Sequence, residues 1–267
     1  MSEPEENKNQ VRIIAAMARR LQEVLIFLCL AIFSKVTGAK PHPRGSGLDG
    51  ATYCLSWRMA VETDNLRAWR TVPIQCLRHV ETYMIGGQYD RDIDLIMEQI
   101  FSYINGIVIS DDGMDAWILD VDDTCISNLF YYKGKRFGCD PWDPASFKAW
   151  ASKGGCPAIP GVLGLFSKLV ENGFKVFLVT GRDEETLGQA TLDNLHNQGF
   201  IGYERLIMRT ASHKGKSAVI YKSEIRKQLV EQGYRIWGNL GDQWTDLQGD
   251  CSGNRTFKLP NPMYFVP

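Results

Sequence analysis

The stretch WILDVDDTCISN, Trp117 to Asn128, runs from an apolar segment straight into three carboxylates. Trp117, Ile118 and Leu119 read as a strand buried on both faces, the signature of a parallel sheet flanked by helices. Asp120, Asp122 and Asp123 follow with only Val121 interposed. Crowded carboxylates repel one another and resist burial unless something positive joins them. A core strand that ends this way therefore marks a site.

Downstream the pattern alternates. VLGLFSKLVENG reads as a helix closing at Gly173, KVFLVT as a strand running into Gly181, and EETLGQATLDNLHNQG as a helix. RLIMR, a helix around SAVIYKSEIRKQLVEQG and the strand RIWGNLGD complete the series. Such alternation predicts an α/β fold, a Rossmann-like parallel sheet with helices on both faces, and active sites in such sheets gather at the carboxyl ends of strands. Upstream, SWRMAVETDNLRAWR, CLRHVETYM and RDIDLIMEQIFSYI read as helices broken at Pro73 and Gly86-Gly87. The expected layout is an extension with a signal peptide at 1–39, a helical region at 40–115 and the core at 116–267.

Arg19 and Arg20 precede the apolar run Val24–Phe33, and Gly38-Ala39 offers a cleavage site. This is the pattern of a secretory signal, too short for an ordinary membrane span, with an uncleaved amphipathic anchor as the alternative. A secreted or vacuolar protein with no stable membrane insertion after cleavage is expected. Export suits the cysteines, of which Cys54 and Cys76 are the expected disulfide pair. A net charge of −1 gives no electrostatic case for nucleic acid as a partner. Asn254 in NRT fits a glycosylation acceptor, near a predicted strand expected to lie close to the site. The GKS at Gly215–Ser217 lacks the glycine-rich loop of a nucleotide-binding turn, since Thr210 stands where its first glycine belongs.

Three strand ends carry groups suited to phosphate and metal: Asp120 with Asp122, Thr180-Gly181-Arg182, and Gly241-Asp242 followed by Asp246. Lys222 lies on the helix before the last of these. Carboxylates from two strand ends make a hard oxygen site for Mg²⁺, which would turn their repulsion into affinity for a cation. Asp246, one helical turn after Asp242, is expected at or beside the metal. Asp123 alternates away from Asp122 and is expected to be structural, a solvated or helix-facing acid.

DVDDT, VTGR, the downstream lysine and GDQWTD resemble the four motifs of the haloacid dehalogenase-like phosphatases. YCLSWR, GGQYDRD, YKSEIRK, GDQWTDLQG and NRTFKLPNPMY are similar, more closely, to plant class B acid phosphatases and vegetative storage proteins, over roughly Ala51 to Pro267. The resemblance implies a hydrolase of phosphomonoesters with Mg²⁺ bound by Asp120, the Asp122 carbonyl, Asp242 and, nearby, Asp246. It also implies Asp120 as nucleophile forming an aspartyl-phosphate, Asp122 as general acid and base, and Thr180, Gly181 and Lys222 as phosphate ligands. Lys214 and Lys216 remain rivals of Lys222. The short gaps between motifs predict a small cap and an open site, covered at most by the aromatic loop NLFYYKGKRFGCDPWDP. Two alternatives stay open: a storage protein with incidental phosphatase activity, and a phosphotransferase using the same residues. A homodimer also stays open.

Overall fold

In a computed structural model, which describes Met17, residues 20–22 and residues 50–267, the opening stretch forms β1, Asp115–Asp120, buried at every position. Four more strands run parallel to it: β2 (Lys175–Asp183), β3 (Arg205–Arg209), β4 (Arg235–Gly241) and β5 (Arg255–Lys258), in the spatial order β3-β2-β1-β4-β5. Residues 49–267 form one compact unit.

Burial of both sheet faces follows from the period of two along each strand. Trp117, Leu119, Val176 and Leu178 face one way. They meet α3 (Gln88–Ile104), α6 (Pro160–Glu171) and α7 (Glu184–Asn197). Ala116, Ile118, Phe177 and Val179 face the other way and meet Tyr221, Ile225 and Leu229 of α8, Ala218–Glu231. On α3 the buried residues Ile93, Met97, Ile100 and Ile104 recur at helical spacing and form a single stripe.

The helical region upstream contains α1 (Gly50–Glu62), α2 (Leu77–Ile85) and α3, and the expected Cys54–Cys76 disulfide joins α1 to the segment leading into α2. One expectation there is too long. SWRMAVETDNLRAWR is helical only to Glu62, because Asp64 and Ala68 adopt positive φ and break the ladder. The expected signal segment falls outside the described residues apart from Met17 and residues 20–22. No described helix is long and apolar enough to cross a membrane.

The aromatic stretch expected to be a loop over the site is instead largely folded. It forms α4 (Leu129–Gly134) and leads into α5 (Pro144–Ala151), which Asp143 caps by accepting from Ser146 N at 2.7 Å. Tyr131 packs edge-on against Tyr132 and Phe147, so its neighbours bury it, while Phe130 and Trp142 stay exposed. Ser217 caps α8, accepting from Ile220 N at 3.3 Å, so GKS is a capping turn. Asn254 also differs from expectation. It is exposed, but it immediately precedes β5, and its N–H donates to Ile236 near the start of β4. Parallel pairing therefore puts it at the amino ends of the strands, away from the carboxyl ends that carry the site.

Candidate active site

The chain order reverses beside β1, with β2 on one side and β4 on the other, which opens a crevice at their carboxyl ends. Asp120 is the last residue of β1, and Asp242 immediately follows β4. After Asp120 the chain turns sharply. Val121 O accepts from the backbone of Cys125 and Ile126, and Asp123 takes a φ of 52°. The turn delivers Asp122 beside Asp120 on a separate set of partners.

Lys222 reaches this crevice from α8. Its ammonium donates to Asp120 Oδ1 and to Asp246 Oδ1, the latter at 2.6 Å. All three side chains are buried. Lys216 instead pairs with Glu224 at 2.6 Å at a half-exposed position, and Lys214 is exposed. The geometry thus brings Lys222 to the carboxylates and neither rival. Burial lowers the proton affinity of Lys222, but Asp120 and Asp246 outweigh it, so the ammonium is held well above its usual range.

Asp120, Asp242 and Asp246 each offer a carboxylate oxygen, all within 4.8 Å of one another and all buried. Three carboxylates against one ammonium leave the cluster acidic. Burial pushes Asp120 well up, with Asp246 adding to the rise and Lys222 opposing it. Burial likewise lifts Asp242 to about 7, reinforced by Asp246 and Asp123. A dry, oxygen-rich, under-neutralised cluster fits a hard divalent cation. Asp246 has another use for its oxygens: Oδ1 accepts from Lys222, and Oδ2 accepts from Gln243 N at 2.9 Å as part of a capping box on the short α9, Trp244–Leu247. It orients the lysine as well as flanking the cluster. Gly241 permits this approach, since a Cβ there would overlap the Asp246 side chain.

Asp122 sits in a different environment. The Arg182 guanidinium grips it from two nitrogens, Nη2 at 2.8 Å and Nε at 3.0 Å from Oδ1. Asn128 Nδ2 donates to Oδ1 at 2.9 Å, and Thr180 Oγ1 to Oδ2 at 3.2 Å. Burial pushes its proton affinity up, but the Arg182 charge and these bonds win and hold the carboxyl below its usual range. Two neighbouring acids are thus driven apart, Asp120 up and Asp122 down, because Asp122 has the arginine and Asp120 lies among other carboxylates. The Thr180 hydroxyl, expected on phosphate, here serves Asp122, while Gly181 stands exposed beside it.

Asp123 is not solvated. It is buried, Oδ1 accepts from Asn128 N at 2.8 Å, and burial lifts its carboxyl to about 7. Its contacts organise the turn that carries Asp122 and Asn128. Sequence reading also left several groups without a role. Arg182 and Asn128 anchor Asp122, and Arg226 donates to Asp246 O at 2.8 Å and Asp250 O at 3.0 Å to pin the end of α9 and the turn after it. Arg182 lies two residues beyond Thr180 in VTGR, and that spacing was the available clue to a shared partner. Nothing local in the sequence points Arg226 at carbonyls 20 and 24 residues away.

Comparison with known proteins resolves the family. A model described as HAD superfamily, subfamily IIIB (Acid phosphatase), matches residues 42–267. The chain belongs to this family. It is 45% identical over 213 residues to Acid phosphatase 1 of Solanum lycopersicum, covering 80% of this chain and 83% of that protein. It is 38% identical to Vegetative storage protein 2 of Arabidopsis thaliana over 216 residues, with 80% of each chain covered. Among solved structures, the class C acid phosphatase from Bacillus anthracis superposes with a TM-score of 0.59 at 20% identity, covering 72% of this chain and 85% of that one, a likeness of fold. As a HAD-type acid phosphatase, the protein is a hydrolase acting on small phosphate substrates, in a superfamily that generally works with a divalent metal.

Proposed function

We propose that the protein is a Mg²⁺-dependent acid phosphatase that hydrolyses varied phosphomonoesters through a phosphoryl group carried on Asp120. The observation that carries this reading is the pairing of one buried carboxylate, Asp120, with Lys222 beside a second, Asp122, held by Arg182. Asp120 forms the bond to phosphorus while the ester oxygen leaves, and Asp122 gives that oxygen its proton. The ionised Asp122 then takes a proton from the water that attacks phosphorus, which frees Asp120. Arg182 favours the ionised form of Asp122, but an incoming phosphate dianion adds a like charge beside it and raises its proton affinity towards that of a general acid.

Lys222 neutralises part of the charge shared by Asp120 and a phosphoryl oxygen, and Thr180 with the backbone at Gly181 would bind another. A divalent cation held by Asp120, the Asp122 carbonyl and Asp242, with Asp246 alongside, would screen the remaining negative charge so that an anionic nucleophile can approach an anionic ester. Exposed Phe130 and Trp142 leave only a small cap, which suits an open site. Secretion or vacuolar deposition agrees with the signal-like segment before residue 40 and with relatives named as stem glycoproteins of Glycine max.

Similarity to vegetative storage proteins favours a second reading, in which the protein is chiefly an amino-acid reserve. Retention of Asp120, Asp122, Lys222 and Asp242 weighs towards catalysis. Purified protein assayed with p-nitrophenyl phosphate in EDTA, and again with Mg²⁺ restored, tests the proposal. Loss and recovery of turnover are expected. Full activity under thorough chelation refutes the metal dependence, and no turnover in either condition favours storage. Adding an alcohol acceptor separates phosphotransfer from hydrolysis.

A further inference from the structure

Among the three clustered carboxylates, Asp242 is set apart. Asp120 and Asp246 both take the Lys222 ammonium, whereas Asp242 forms no ion pair among the described residues. Its partners are neutral amides, and both act on one oxygen. Asn261 Nδ2 donates to Oδ2 at 2.6 Å, and Gln243 Nε2 donates to the same atom at 2.8 Å. Oδ1 receives only a long contact from Thr124 Oγ1, at 3.4 Å. Two donors on one side of a carboxylate fix its plane and aim the other oxygen without cancelling its charge.

Asn261 belongs to the C-terminal segment after β5, and that segment is itself tied down at several points. Leu259 N donates to Gly241 O at 2.9 Å, which carries the β4–β5 pairing past the strand end to the residue before Asp242. Asn261 Oδ1 accepts from Met263 N at 3.0 Å, which decides which end of the amide faces Asp242. Val266 N donates to Gln243 Oε1 at 3.1 Å, so the tail orients the second amide as well. Tyr264 stacks on Tyr132 of α4 with ring centroids 4.8 Å apart. Nearby, Gly138 lies so close under the tail that a Cβ would overlap the Met263 carbonyl.

We infer that the segment Leu259–Val266 is a strap that positions Asp242 for a divalent cation, with Asn261 as the positioning residue and Gln243 as its assistant. This rests on the reading above that Asp242 helps to hold the metal. The Asn261 side chain bonds to Asp242 and to Met263 N, and not to Asp120 or Asp122. Its effect should therefore appear in metal affinity rather than in chemistry at saturating metal.

The test is calorimetric titration of Mg²⁺ into the full chain, wild type and Asn261→Ala, with circular dichroism to establish that both are folded. Removing an outer partner of a metal ligand weakens affinity by about 10- to 100-fold, and that loss is expected here. Kinetics should agree. The Mg²⁺ concentration for half-maximal turnover should rise by a similar factor, while kcat and KM for p-nitrophenyl phosphate at saturating Mg²⁺ stay within about threefold of wild type, a change of under about 1 kcal/mol. If Asn261→Ala does not fold, Asn261→Ser, too short to reach Oδ2, carries the same expectation. A chain ending at Met263, which keeps Asn261 but frees Gln243, should lose less affinity than Asn261→Ala. Wild-type affinity in folded Asn261→Ala, or a fall in kcat that no Mg²⁺ concentration restores, overturns the inference. A wild-type protein that takes up no divalent cation overturns the metal reading beneath it.

Discussion

Replacing Lys222 by Met separates the roles of the two acids it binds. The side chain is 7% exposed and donates to Asp120 and Asp246, with Asp242 in the same cluster. Methionine fills similar volume, so packing is largely kept while the only ammonium in the cluster is lost. Removing one partner of a buried ion pair costs about 3–5 kcal/mol, because the other charge is left uncompensated. Here two carboxylates are orphaned, which places the loss at about 5 kcal/mol, towards the upper part of that range. Asp120, whose carboxyl burial already pushes up, can relieve the strain by taking up a proton, so the loss should shrink from pH 7 to pH 5. Turnover should also fall by about 10²–10³, the scale for deleting one preorganised charge-stabilising donor. Lys216→Met is the control. That lysine pairs with Glu224 at a half-exposed site, where screening keeps such pairs below about 1 kcal/mol. Urea unfolding at both pH values, with initial rates on p-nitrophenyl phosphate, gives the comparison. Equal, small effects for the two variants would refute the assignment of Lys222.

Three other expectations can be checked alongside. Asp122→Asn removes the proton donor while leaving Asp120 able to attack, so it should slow alkyl phosphates at least about tenfold more than p-nitrophenyl phosphate, whose leaving group needs little protonation; an equal loss on both substrates contradicts the acid role. Burial lifts Asp242 and Asp123 to about 7, so between about pH 4 and 7 the native, metal-free protein holds protons that the unfolded chain has released. Stability in EDTA should therefore fall as pH rises through that window, and added Mg²⁺ should raise the melting temperature more at pH 7 than at pH 5; scanning calorimetry that finds the opposite trend removes the electrostatic picture of the cluster. Replacing Cys54 and Cys76 together by Ser opens a link between residues 22 apart and should lower stability by about 3 kcal/mol, with a loss below about 1 kcal/mol in urea unfolding counting against it.

How much was legible in advance depended on the range of the interaction. Apolar runs ending in Asp120, Thr180 and Gly241 announced a parallel sheet, because strands buried on two faces leave an unbroken hydrophobic signature. Their chemistry was visible too, since sites in such sheets gather at strand ends. Cap structure was less legible. Tyr131 and Tyr132 read as loop aromatics, yet Phe147 on α5 and Tyr264 in the tail provide partners that bury them. The glycosylation acceptor at Asn254 was expected near a strand close to the site, but it lies at the amino end of β5, because sequence does not give the direction of β5 relative to β4.

Pairing across long separations was the least visible layer. Arg182 grips Asp122 across 60 residues, and Asn261 reaches Asp242 across 19 after an intervening strand. Each looks like an ordinary polar residue until the sheet brings it to its partner. The ambiguity among Lys214, Lys216 and Lys222 had the same origin. All three lie within nine residues, but Lys214 and Lys216 precede α8, whereas Lys222 lies on the face of α8 that meets the sheet.

The central claim is that Asp120 carries the phosphoryl group during turnover. Rapid acid quench of the working enzyme with labelled phosphomonoester, followed by peptide mapping, measures this directly. The account predicts label on the Asp120 carboxylate, released by hydroxylamine as acyl phosphates are, and none in Asp120→Asn, whose turnover should fall by several orders of magnitude (about 10⁴ or more). Label on any other residue, or undiminished turnover in Asp120→Asn, would contradict it.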